Sequence, residues 1–131
     1  MKSRTRRLVR HCALSFSLLL VAAMTSAAVF TVDSTGDEPD DNFADSVCHT
    51  AAGTCTLRAA IQQANATGGA VIHFNISGAG VHTIRPVSTL DPITSAVTID
   101  GYSQPGSSPN TLAVGENAVL TIELDGSLLS G

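Results

Sequence analysis

The residues best placed to do chemistry are two cysteines and a set of carboxylates. Cys48 and Cys55 enclose the short loop His49-Thr50-Ala51-Ala52-Gly53-Thr54. In an oxidising compartment an even pair in one small-residue loop closes most simply as a disulfide, worth ~2–3 kcal/mol. A metal site from Cys48, His49 and Cys55 is the competing chemistry, and it lacks a fourth ligand at zinc spacing. Asp33, Asp37, Glu38, Asp40, Asp41 and Asp45 crowd one loop. Oxygen-rich loops can bind Ca²⁺. The EF-hand order and the glycine-rich calcium nonapeptide are both missing, so a solvated acidic loop is the expectation and no cofactor is expected. Asp100 and Asp125 are each followed by glycine, Gly101 and Gly126. Stacked on successive repeats they would make a carboxylate pair for glycoside chemistry. A turn aspartate bonding its own backbone is the plainer reading, and no catalytic residue is expected.

Other constellations fail. There is no Gly-x-Ser-x-Gly elbow. His49, His73 and His82 have no metal-ligand spacing, and Gly78-Ala79-Gly80 has neither the lysine nor the helix of a phosphate loop.

Charge narrows the partners. The chain has 131 residues, 7 of them basic and 11 acidic, for a formal net charge of −4. After residue 27 only Arg58 and Arg85 are basic, while every acidic residue lies there. Clustered Lys and Arg carry phosphate binding, so nucleic acid is disfavoured as a partner. With 44% hydrophobic and 14% charged residues the chain is not expected to be disordered throughout.

The other basic residues mark the front of the chain. Residues 1–10 are basic, 12–24 form an uncharged apolar block, and Thr25-Ser26-Ala27-Ala28 are small. That order is a secretory signal peptide, expected over residues 1–27, which places the protein as secreted or at the cell surface. The apolar block is too short for a membrane span of ~20 residues, and no later run is long enough. Thr5-Arg6-Arg7 partly matches a twin-arginine signal, but Arg10 follows where apolar residues belong, so the general secretory route is expected.

The elements that must position these groups follow from periodicity. Val29-Phe30-Thr31-Val32 reads as an opening strand. Residues 56–66 read as one helix: Leu57, Ala60, Ile61 and Ala64 fall on a single apolar stripe. Arg58, Gln62, Gln63 and Asn65 lie off it. Thr56 is the expected N-cap, and Gly68-Gly69 the stop. Alternation then predicts strands at 71–76, 82–85, 96–99 and 119–124. Ile76-Ser77-Gly78, Ile99-Asp100-Gly101 and Leu124-Asp125-Gly126 share one form and each follows a strand. Such spacing suits the coils of a parallel β-helix, with a β-sandwich as the alternative.

The segment Cys48 to Asn65 resembles the CSLREA domain of secreted bacterial surface proteins. The likeness rests on an opening strand, an acidic loop, a first cysteine, and then Cys55-Thr56-Leu57-Arg58-Ala59-Ala60-Ile61 with a later Asn65. Thr56 replaces the family's serine and Ala59 its glutamate. A capping box therefore keeps its hydroxyl and loses its carboxylate, weakening the helix start by ~0.5–1 kcal/mol. Downstream, residues 97–106 and 122–127 resemble the opening of a right-handed parallel β-helix. The resemblance implies a mostly β chain with an N-terminal capping helix and the first coils of such a β-helix. Residues 28–70 would form the cap and 71–131 the coils, truncated from a longer exported protein. It implies a non-catalytic role in attachment or interaction, with a polysaccharide or cell-surface ligand as partner. The alternative is the leading part of a secreted polysaccharide lyase or glycoside hydrolase.

Overall fold

The computed structural model describes residues 26–129. The export signal expected over residues 1–27 lies outside them, save Ser26 and Ala27. Strand β1, Ala28–Val32, turns Phe30 and Val32 into the core. Helix α1, Leu57–Thr67, begins at Thr56. The Thr56 hydroxyl accepts the Ala59 N–H at 3.0 Å and donates to the Glu38 carbonyl at 2.7 Å. One side chain thus starts the helix and ties it to the acidic loop. Gly68 ends the helix in the left-handed region, at φ 84°, and its N–H returns to the Ala64 carbonyl. Gly69, at φ 134°, turns the chain directly into β2, Gly69–Phe74. Then follow β3, His82–Ile84, β4, Ala96–Ile99, a 3₁₀ turn, Gly101–Ser103, and β5, Ile122–Leu124.

Among the described residues the architecture is mostly β with one α-helix. One sheet has the order β1-β2-β4 and the other pairs β3 with β5. All three strand pairs are parallel. From β2 onward successive strands alternate between the two sheets. Parallel neighbours need crossovers, and α1 is the crossover from β1 to β2. It packs on both of these strands. Leu57, Ala60, Ile61 and Ala64 share one core with Phe30, Val32, Ile72, Phe74, Ile76 and Ile84.

Three sequence readings change. The second strand starts and ends two residues earlier than alternation suggests. Its ladder closes with the Asn75 N–H on the Val32 carbonyl, and Ile76 is bound by a side chain instead. The strand expected over 119–124 divides. Val119 makes an antiparallel bridge with Ser108, and only Ile122–Leu124 joins β3. The three similar triplets do not stack on one another. Ile99 is level with Ile72, not with Ile76, and Leu124 is level with Ile84 in the other sheet. Asp100 and Asp125 therefore leave different sheets and form no stacked carboxylate pair.

Candidate functional site

The densest polar junction is built on Arg58. Sequence periodicity puts this residue off the apolar stripe, yet its side chain is only 9% exposed. The helix is covered on that flank by two loops. The Arg58 Nε and Nη2 donate to the two carboxylate oxygens of Asp37 at 3.0 and 2.9 Å. Nη1 donates to the Thr89 carbonyl at 3.0 Å and Nη2 to the Ser88 carbonyl at 2.8 Å. Asp37 also accepts the Val87 N–H at 2.9 Å. A planar five-donor guanidinium can serve a carboxylate and two carbonyls at once, and lysine cannot. Gln62 and Asn65 extend the clamp. Gln62 accepts the Asp40 N–H and donates to Asp91, at 2.9 and 2.8 Å. Asn65 donates to the Pro92 carbonyl and accepts the Thr94 N–H. The helix is thereby fixed between the loop before it and the loop after β3.

Cys48 and Cys55 form a disulfide, with Cα atoms 5.3 Å apart. The acidic loop that it anchors is spent on protein donors. Asp33 caps the Cys55 N–H at 2.8 Å, and Asp40 accepts the Asn42 N–H at 2.9 Å. His49 stands between two carboxylates, with Nδ1 2.7 Å from Asp41 and Nε2 2.9 Å from Asp45. The hydrogen bond to Asp45 raises the His49 pKa above its ordinary 6.5, and the negative charge of Asp41 adds to the effect. Asp45 is lowered by the Val47 N–H first and by His49 second. Among the described residues no three His, Cys, Asp or Glu side chains converge as metal ligands.

The expected repeat turns have one local chemistry on two sheets. Asp100 accepts the Tyr102 N–H at 3.0 Å, and Asp125 accepts the Ser127 N–H at 2.9 Å. Each is the turn aspartate that its own backbone requires. Each also faces a basic side chain, His73 on β2 or Arg85 just past β3. His73 lies 4.0 Å from Asp100, and Arg85 lies 2.8 Å from Asp125. The Arg85 guanidinium, with Ser127 behind it, pulls the Asp125 carboxyl down to about 2. Gly101 and Gly126 follow these aspartates without entering the left-handed region.

Gln104 makes a buried structural contact whose role sequence reasoning passed over. It is buried, and its amide accepts the Ile76 N–H and donates to the Ile76 carbonyl, both at 2.8 Å. One side chain thus imitates a strand neighbour where β2 has ended. Ser103 does the same for the Phe74 N–H. Nothing in the local pattern around a lone glutamine signals this role.

At β4 and β5 the inward-facing rows reach solvent. Phe30, Ile72 and Ile99 stand level across β1, β2 and β4 and share one face. Their exposures are 5%, 0% and 45%. In the other sheet Ile84 is 1% exposed and its level partner Leu124 is 57% exposed. Residues of one inward row therefore pass from core to solvent at β4 and β5. Between these two edges lies a cleft of about 210 Å³ lined by Ile99, Asp100, Tyr102, Leu120 and Ile122.

The chain matches no protein-family model, no curated protein and no solved structure. Among the described residues no helix is long and apolar enough to cross a membrane.

Proposed function

We propose that this chain is the amino-terminal capping region of an exported surface protein with a right-handed parallel β-helix, acting in attachment or interaction without catalysis. The observation that carries the reading is the inward row that is buried at Phe30 and Ile72 and bare at Ile99. An apolar row exposed at a free parallel edge is a cross-section of core, and another coil is what would cover it. The alternation of strands from β2 onward supports the same reading, because each coil of a two-sided solenoid visits both sheets in turn. Helix α1 stands on β1 and β2 where the first coil has no strand of the second sheet. In this reading it closes the starting end, as terminal repeats must be closed. The CSLREA-like motif then has a physical role: Arg58 and the Cys48–Cys55 bridge fasten the cap to the loops around it. A lyase or hydrolase reading loses the carboxylate pair on which it would rest, since Asp100 and Asp125 leave different sheets.

The test is the intact mass of the exported product, sequencing of the locus past Gly131, and hydroxyl-radical footprinting of Ile99 and Leu124. Further strand–turn units with both side chains protected are expected, together with polysaccharide or cell binding and no turnover. An exported product that ends at Gly131 with Ile99 and Leu124 fully reactive overturns the proposal.

A further inference from the structure

His49 is the centre of a second, independent device. Neutral imidazole carries one N–H and one lone pair, so it can donate to only one carboxylate. Here both ring nitrogens face carboxylate oxygens of different residues, Asp41 at 2.7 Å and Asp45 at 2.9 Å. Asp45 shares the hydrogen bond with Nε2, while Asp41 stands against Nδ1 as a close ion pair, so both contacts are attractive only when the ring carries its positive charge. The same residue also holds the loop through its main chain. Its carbonyl accepts the Asp41 N–H at 3.0 Å, and its N–H reaches Asp40 at 3.3 Å. We propose that the imidazolium of His49 is a pH-operated latch that holds the strap of residues 40–47 closed over the flank of α1.

The ionisable groups that reach His49 are Asp41 and Asp45 at the ring and Asp40 at its N–H. Among the described residues no Lys or Arg forms a salt bridge with any of the three. Among the described residues His49 is thus the only cationic group within salt-bridge distance of this cluster. When it loses a proton, the ring can keep its hydrogen bond to Asp45, and the positive charge that faced Asp41 is gone. Asp45 keeps the Val47 N–H at 2.9 Å and the Asn42 amide at 3.3 Å. The Asp41 carboxylate has no second side-chain or backbone donor among the described residues, so it is the contact that fails. The three carboxylates then repel one another without a counter-charge. The strap carries Phe43, whose carbonyl lies 3.5 Å from the amide of buried Gln63. It also forms one wall of a cleft of about 300 Å³ against Gln62, Asn65, Ala66 and Asp91. Release of the strap opens that cleft. The disulfide at Cys48 keeps the far end of the strap in place.

The sign is fixed by the direction of the shift. A histidine whose folded pKa is raised holds its contacts fully below 6.5, the ordinary value, and loses them as pH rises through the raised one. The test uses the exported chain with its disulfide intact. Ring ¹⁵N shifts of His49 and amide exchange at Asp41, Val47 and His49 are followed from about pH 5 to about pH 9, with exchange corrected for its intrinsic base dependence. His49 is expected to titrate above 6.5, and protection of the Asp41 and His49 amides to fall with the same midpoint, while Val47 keeps its bond to Asp45 and its protection. His49→Gln is expected to show low protection of those two amides at every pH. Asp45→Asn is expected to lower the His49 midpoint, and this reading decides the matter if the glutamine variant does not fold. A ring that titrates at or below 6.5 overturns the latch, as does protection of the Asp41 and His49 amides that ignores the titration.

Discussion

Replacing Arg58 with methionine is the sharpest test of the junction around α1. Methionine keeps an apolar stem of similar length and removes the guanidinium. The change strands a carboxylate that is only 11% exposed. Asp37 would keep one donor, the Val87 N–H. The Ser88 and Thr89 carbonyls would lose their bonds to the side chain. Removing one partner of a buried pair costs about 3–5 kcal/mol, because the other charge stays buried. Low exposure on both sides leaves little screening to discount. The longer contact to Asp91, at 3.8 Å and on a 40% exposed side chain, adds little. A domain of this size has ~5–15 kcal/mol in total, so the loss is roughly a fifth or more of it. With a urea slope of about 1.5 kcal/mol/M the midpoint falls by about 2–3 M. The assay is urea unfolding of the oxidised protein by circular dichroism. Asp37→Leu and the double variant complete the cycle. The double variant is expected to recover at least ~1 kcal/mol relative to Arg58→Met, because no buried charge remains. Arg58→Lys is expected to fall between, since a point charge cannot serve three acceptors in fixed directions. If Arg58→Met unfolds within ~1 kcal/mol of the parent, the junction is not what holds the helix between its loops.

Ile61→Asp puts a charge into the core beneath α1 and is expected to abolish cooperative unfolding; a sharp transition near the parent midpoint would remove the helix from the core. Gly69→Ala places a methyl group 2.7 Å from the Ala96 carbonyl oxygen at φ 134°, so it should lower stability by about 2 kcal/mol or more, read as a fall in Tm. Gly101→Ala meets nothing within 4 Å and has an ordinary φ, so its Tm should stay level or rise slightly. Ala59→Glu would complete a capping box with Thr56, yet Ala59 is fully buried. A loss of about 1–3 kcal/mol is expected in place of the gain that sequence alone suggests, and a raised Tm would refute the packing argument. Asp125, lowered to about 2 by Arg85, contributes stability above its ordinary 3.8 that is lost as pH falls through 2. Carboxyl ¹³C titration of Asp125 should show that low midpoint, and Arg85→Gln should raise it; an unmoved midpoint would separate the two residues.

Local physics wrote several elements plainly. Leu57, Ala60, Ile61 and Ala64 recur at helical spacing, and they share the core. Thr56 and Gly68 mark the helix ends because a hydroxyl can cap free N–H groups and glycine can turn left-handed. Cys48 and Cys55 are close in sequence, so their bridge needs little help from the rest of the fold. Strand alternation located β1, β3 and β4 closely, because one inward face is a short-range pattern.

Level and neighbour were not written there. Ile99 sits beside Ile72, and Leu124 beside Ile84, because strand pairing is set by how two sheets close on a common core. The repeated triplets suggested another alignment from their spelling alone. Arg58 looked like a solvated face until two distant loops covered it, and Gln104 showed nothing until its amide met Ile76. His49 came to stand between two carboxylates only through the fold of its loop. The sequence determined which segments are helix and strand, since those preferences act over a few residues. Only the tertiary structure decided which side chains lose water and whom they meet, since both depend on contacts between segments far apart in the chain.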